Sequence, residues 1–286
     1  MGVFPRTRYS LNLRSGTLNV GSRTLIMGVL NVTPDSFSDA GKFFDFPVAV
    51  RQALDMIAAG ADMLDIGGES TRPDSDPISI DLELERVIPV IEAIRASSGI
   101  PISIDTTKSE VARQALAAGA DIINDVSSLR FDDRMVDLAA ESAAPLILMH
   151  MLGTPKTMQK DPSYSSLFSQ IISFLEERIQ FAMSRGVARE QIVVDPGIGF
   201  GKTVAHNLAI IRNLETFQSL DRPVLLGASR KRFIGTILDR PVEDREVGTA
   251  AALSFGIAAG AHIVRVHDVP FHRQVVLMAD ALRGPS

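Results

Sequence analysis

Carboxylates, an amide and a guanidinium recur at matched positions along this chain, the pattern of side chains that line one pocket. Three segments share a local motif: Ala58-Ala59-Gly60-Ala61-Asp62, Ala117-Ala118-Gly119-Ala120-Asp121 and Ala258-Ala259-Gly260-Ala261-His262. Each runs into a short apolar stretch, and five positions after the three glycines stand Asp65, Asn124 and Arg265. Two more acids, Asp105 and Asp195, close the apolar runs PISID and IVVD. Two carboxylates and an amide converging on one pocket suit a flat heterocycle with several N–H donors, because a carboxylate accepts such donors in pairs. For Asp65 and Asn124 the competing reading is a satisfied loop cap. Scattered acids without clustered histidines disfavour a dedicated structural metal site, whereas a substrate-bridged magnesium needs just one or two protein oxygens.

Two loops mix glycine or proline with hydroxyls and charge: Asn31-Val32-Thr33-Pro34-Asp35-Ser36-Phe37-Ser38-Asp39 and Gly67-Gly68-Glu69-Ser70-Thr71-Arg72-Pro73. That composition belongs to mobile lids and equally to inert turns. Further on, Gly227-Ala228-Ser229-Arg230-Lys231-Arg232 carries three consecutive cations, and Arg265 and His267 follow. At the phosphate-binding edge of a barrel such cations form an anion site. The glycine-rich 195–202 segment, DPGIGFGK, lacks the GK[ST] closure of a phosphate loop and does not open a chain-initial βαβ unit, so ATPase and dinucleotide readings fail. His150, His206 and His272 read as structural histidines, the first after an apolar strand and the others in helix-like segments.

Elements that could hold these side chains follow from the repeat. Helix, glycine stop, strand is its physical content, since glycine takes the left-handed conformation that closes a helix. Strand-like runs span 24–30, 62–67, 101–105, 121–126, 145–149, 191–195, 223–227 and 262–266, eight in all. Between them, apolar residues at three- and four-residue spacing predict helices such as 82–95, 111–118 and 167–185. Alternation of eight strands with eight helical segments, without a linker, predicts an α/β fold: a single (β/α)8 TIM-barrel domain over 1–286 rather than an open doubly wound sheet. Within 1–23, alternating Tyr9, Leu11 and Leu13 before Gly16 predict a β-hairpin extension that covers the bottom of the barrel. Function then belongs at the C-terminal ends of the strands, where Asp65 shares a face with Gly67, Asn124 with Val126, and Arg265 with His267.

With 29 basic and 34 acidic side chains among 286 residues, the net charge of −5 argues against duplex nucleic acid or an anionic membrane as partner. Zero cysteines exclude disulfides and thiolate chemistry. The uncharged run 248–261 is too short for a membrane span, and no secretory core is evident at the start, so a cytoplasmic location is expected.

In order, the chain carries NVTPDSFSD, DIGGESTRP, IDT, INDVSS, LMHMLGTPKTMQ, DPGIGFGK, GASRK and RVHDV. This set resembles bacterial dihydropteroate synthase from Thr24 to the final helix. The resemblance implies a (β/α)8 barrel, usually a homodimer and a sulfonamide target. It implies a transferase that joins 6-hydroxymethyl-7,8-dihydropterin pyrophosphate to p-aminobenzoate in folate biosynthesis, releasing pyrophosphate with Mg²⁺. Carried over, Asp105, Asn124, Asp195 and Lys231 hold the pterin, with Met149 and Phe200 near its faces. Asn31, Arg72, Arg265 and His267 hold the diphosphate, and Asn31 and Asp35 contribute to the Mg²⁺ site. Thr71, Pro73, Phe37, Ser229, Lys231 and Arg232 surround p-aminobenzoate. Asp35, Phe37, Asp105, Lys231 and Arg265 carry the catalytic roles. Two alternatives keep the Asp/Asn/Asp pocket: a methyltetrahydrofolate-dependent methyltransferase acting on a corrinoid protein, and a non-catalytic pterin-binding paralogue. Neither has a use for the first loop, the SRK segment and the diphosphate cations together.

Overall fold

A computed structural model describes residues 4–33, 46–70 and 76–284. Tyr9–Leu13 (β1) and Gly16–Val20 (β2) form the antiparallel hairpin. Eight parallel strands follow: Leu25–Asn31 (β3), Met63–Gly67 (β4), Ile102–Asp105 (β5), Ile122–Asp125 (β6), Leu146–Met149 (β7), Ile192–Asp195 (β8), Leu225–Leu226 (β9) and Ile263–Val266 (β10). Their hydrogen-bonded order is β8-β7-β6-β5-β4-β3-β10-β9, and a parallel bridge between Val194 and Val224 closes the ring. Sequential neighbours with closure make this a (β/α)8 barrel and exclude the open sheet.

Helices Phe46–Ala58 (α1), Ile80–Ser97 (α2), Ser109–Ala118 (α3), Met135–Ser142 (α4), Leu167–Ser184 (α5) and Val204–Arg212 (α6) follow the first six barrel strands. After β9 the strict alternation fails. Two helices, Arg232–Leu238 (α7) and Glu246–Ala258 (α8), precede β10, and Val269–Arg283 (α9) ends the described chain. The seven-residue α7 starts directly at the cationic run and adds a ninth helix among the described residues.

Side-chain alternation divides the core into two parts. Outward residues such as Ile26, Leu64, Ile104, Ile123, Leu148 and Val194 pack under the helices. Inward residues at the lower level, including Leu25, Met63, Ile122, Ile147, Val193 and Ile263, join Leu11 and Val20 of the hairpin in a separate apolar plug. The hairpin therefore closes the bottom, as its alternation predicts. Gln191 pins it there, accepting from Asn12 N at 2.9 Å and donating to Asn12 O at 2.7 Å. Leu11, 1% exposed, is the hairpin's contribution to the plug. Leu11→Ala is expected to cost ~3 kcal/mol of stability, read as a lower urea midpoint with an unchanged slope.

The repeated motif has a structural as well as a functional position. Gly60, Gly119 and Gly260 all have positive φ, at 95°, 118° and 99°. Two residues later the side chain clamps a backbone N–H at the start of a neighbouring strand. Asp62 accepts from Ile26 N at 2.8 Å, Asp121 from Ile102 N at 3.0 Å, and His262 Nδ1 from Val224 N at 3.1 Å. His262 can replace aspartate because burial, and then Arg6, push its pKa down to about 4 and leave the ring a neutral acceptor.

Candidate active site

The three in-register polar residues meet inside the upper barrel. Asp65 Oδ2 accepts from Arg265 Nε at 2.6 Å and from Asn124 Nδ2 at 3.1 Å. Arg265 Nη2 donates to Asp105 Oδ2 at 2.8 Å. Asp65 is thus a lining residue, not a loop cap, and Arg265, reaching across from β10, bridges two acids carried by the adjacent strands β4 and β5. The Oδ1 atoms of Asp65 and Asp105 are buried with no hydrogen-bond partner among the described residues. Such orphaned acceptors are costly unless a ligand supplies donors.

Asp195, at the end of β8, faces the same space and accepts from Gly197 N at 2.7 Å. Glycine is required at 197: φ is +73°, and a Cβ there would stand 1.9 Å from His150 O. The following loop thereby folds over the mouth and presents Phe200, which packs with Val126, Met149, Met151 and Met158 in a small apolar cluster. Lys231 Nζ lies 4.1 Å from the Phe200 ring centroid, a cation–π contact that holds the amine at the pocket. Ser229 Oγ lies 2.9 Å from His267 Nδ1. Asn31, half-buried, ends β3 on the same rim, its backbone in register with Gly67.

Charge in this pocket is finely poised. Burial, then the negative charge of Asp65, raises the Asp105 carboxyl to about 7, against the opposing pull of Arg265. Burial also raises Asp195. Lys231 is lowered to about 8 by burial and then by Arg265. Burial works against the Arg265 charge, but Asp65 and Asp105 outweigh it and lift that group above its ordinary value. A carboxyl raised to about 7 beside a softened lysine can exchange hydrogen-bond roles with a heterocycle at little cost.

Asn31, Asp105, Asn124, Met149, Asp195, Phe200, Ser229, Lys231, Arg265 and His267 therefore gather at one end of the barrel. Arg232 is the first residue of α7 and is exposed. Asp35, Phe37, Thr71, Arg72 and Pro73 lie outside the described residues. Of the three consecutive cations, Arg230 does not serve an anion site: its guanidinium turns outward to Glu246. Lys202 is a residue that sequence reasoning missed. Its ammonium is buried, bonded to His150 Nδ1 at 3.0 Å and Phe200 O at 3.1 Å, and burial lowers it to about 7. The lysine ending a failed phosphate-loop match was the available signal. His150 is neutral, pushed down to about 2 by burial and then Lys202, in keeping with a structural role.

Comparison with known proteins bears on what such a pocket binds. Residues 27–267 match the family of pterin binding enzymes. The dihydropteroate synthase of Synechocystis sp. is 50% identical over 263 residues, 92% of this chain and 91% of that one. Among solved structures, Xanthomonas albilineans dihydropteroate synthase with 4-aminobenzoic acid is similar with a TM-score of 0.91 and 40% identity, over 98% of this chain and 100% of that one. Yersinia pestis dihydropteroate synthase in a sulfonamide drug complex has a TM-score of 0.90 and 40% identity, over 96% and 98%.

Proposed function

This chain belongs to the pterin binding enzyme family, among its dihydropteroate synthases, and from that premise we propose that it condenses 6-hydroxymethyl-7,8-dihydropterin pyrophosphate with p-aminobenzoate, giving 7,8-dihydropteroate and pyrophosphate. The observation that carries this reading is the buried polar ring of Asp65, Asn124, Asp105 and Arg265, with its orphaned Asp105 oxygen. A pterin edge supplies the N–H donors that such oxygens need.

In this reading Asp105, Asn124, Asp195 and Lys231 hold the pterin edge, and Met149 and Phe200 lie against its faces. Asn31, Arg72, Arg265 and His267 take the diphosphate. Thr71, Pro73, Phe37, Ser229, Lys231 and Arg232 surround p-aminobenzoate. Asn31 offers a hard amide oxygen at the rim, and no cluster of three or more acidic, histidine or cysteine ligands occurs among the described residues. That donor set fits a Mg²⁺ bridged by substrate phosphates better than a protein cage. Asn31 and Asp35 would hold the ion, which when bound supplies charge neutralisation on the leaving diphosphate.

Departure of pyrophosphate puts negative charge on the leaving group and positive charge on the pterin methylene. Arg72, Arg265 and His267 stabilise the first, and Asp105 and Asp195 the second. The aniline nitrogen of p-aminobenzoate is a weak base and needs little deprotonation before it attacks. Positioning it against the methylene in a site that excludes water is therefore the larger contribution, and no covalent enzyme intermediate is required. The protein is further proposed to be a cytoplasmic homodimer; α8, uncharged after Glu246, and its neighbour α9 leave Val247, Met278 and Leu282 exposed at 75%, 60% and 72%. No helix among the described residues is long and apolar enough to cross a membrane.

Pyrophosphate release from dihydropterin pyrophosphate and Mg²⁺, measured with and without p-aminobenzoate, tests the reading. Acceleration by p-aminobenzoate with dihydropteroate as product supports it. Pterin binding without product overturns it in favour of methyl transfer or a non-catalytic paralogue. Asp35→Ala is expected to spare pterin binding and to lower turnover about a hundredfold; full turnover by that variant would remove the first loop from the mechanism.

A further inference from the structure

Arg230 combines two features: a backbone in the left-handed region, at φ +57°, and a side chain directed away from the pocket that both its neighbours serve. Ala143, Asp221 and Asp239 also take positive φ, but each ends a helix. Arg230 stands instead between Ser229, bonded to His267, and Lys231, seated on Phe200. A side-chain-bearing residue remains in that conformation only where its surroundings over-determine it.

Three groups at the start of α8 do so. Arg230 N donates to Thr249 Oγ1 at 3.1 Å, and Arg245 Nη1 donates to Arg230 O at 3.0 Å. The Arg230 guanidinium is hydrogen-bonded to Glu246, whose other oxygen is 3.4 Å from buried His272 on α9. Thr249 is itself tied to Arg245 O at 2.9 Å. Amide, carbonyl and side chain of one residue are thus all held from behind the active site by groups that line none of it.

We propose that Arg230 is a positioning residue: clamped by Glu246, Thr249 and Arg245, its left-handed turn delivers Ser229 and Lys231 together to the barrel mouth. This rests on the synthase reading for the identity of the substrate, but the clamp and its effect on Lys231 are properties of the chain alone.

The test compares Arg230→Ala, Arg230→Gly and Glu246→Gln in the full-length protein. Glycine adopts the required φ without strain and lacks the ion pair; alanine lacks the ion pair and resists the φ. Arg230→Ala is expected to raise KM for the pterin substrate and lower kcat, with about a tenfold loss in kcat/KM, whereas Arg230→Gly stays within about threefold of the parent. Glu246→Gln is expected between them. A structural weakening alone would not move the alkaline limb of pterin-analogue binding. A Lys231 released to solvent would regain an ordinary amine pKa, so that limb is expected to shift upward in Arg230→Ala and not in Arg230→Gly. Equal losses in the alanine and glycine variants, no loss in either, or an unmoved limb would overturn the proposal. An inactive parent would overturn the synthase reading instead, and the binding limb would still decide the role of Arg230.

Discussion

Asp105→Ala is expected to lose pterin binding by about two to four powers of ten, seen by calorimetry with the pterin pyrophosphate. Two hydrogen bonds to a charged acceptor, at roughly 1.5–3 kcal/mol each, set that range. Retained tight binding would remove Asp105 from the pocket. The same residue makes a second, opposite-looking prediction for the empty protein. Its carboxyl stands at about 7 because of burial and the neighbouring Asp65, above the ordinary 3.8. The native state therefore binds this proton more tightly than the unfolded chain. Stability from that proton is fully present below about pH 4 and disappears as pH rises through about 7. Asp105→Asn is neutral throughout and escapes the loss, so its melting temperature is expected to exceed that of the parent at pH 8. The gap should open between about pH 4 and pH 7. A gap independent of pH would show that ionisation of Asp105 is not what strains the empty site.

Arg265→Met carries the other large effect, on both folding and turnover. Arg265 is the only cation hydrogen-bonded to Asp65 and Asp105 among the described residues, and its removal leaves two buried carboxylates facing each other. Breaking a buried ion pair from one side costs roughly 3–5 kcal/mol. With Arg265 gone, Asp105 titrates higher still and can neutralise itself by taking a proton. The deficit is accordingly expected to be smaller at pH 5 than at pH 8 in urea titrations. An equal deficit at both values would assign it to lost packing. Turnover is expected to fall about 10²- to 10³-fold, because the guanidinium both sets the acids and faces the leaving group in the proposed mechanism.

How much of this was legible in the sequence depends on the range of each interaction. All eight barrel strands were readable to within one or two residues at each end, since glycine stops and apolar runs are local signals. The hairpin and its burial at the bottom followed from the alternation of Tyr9, Leu11 and Leu13. The extra helix α7 was not readable, because seven residues are too few to display a helical period. Asp65 could not be settled between cap and lining, since its partners Asn124 and Arg265 lie 59 and 200 residues away. The outward turn of Arg230 was hidden for a different reason: three adjacent cations have the same composition whichever way they point, and only the backbone conformation separates them. Asp62 and Asp121 were visible in the repeat, but their clamps on neighbouring strands depend on the parallel pairing of strands joined through a helix.

The inward side chains of the strands, sealed from below by the hairpin, make the barrel a blind well open at one end. Traffic through a blind well has an order imposed by depth: whatever settles lowest must arrive first and depart last. A pterin seated on Asp105 and Asn124 would have to be in place before the second reactant covers it, and the condensed product would have to withdraw through the opening by which both came in. Ordered rather than random addition would then be a consequence of that apolar floor, Leu11 and Val20 included, whose side chains lie at the opposite end from the polar ring.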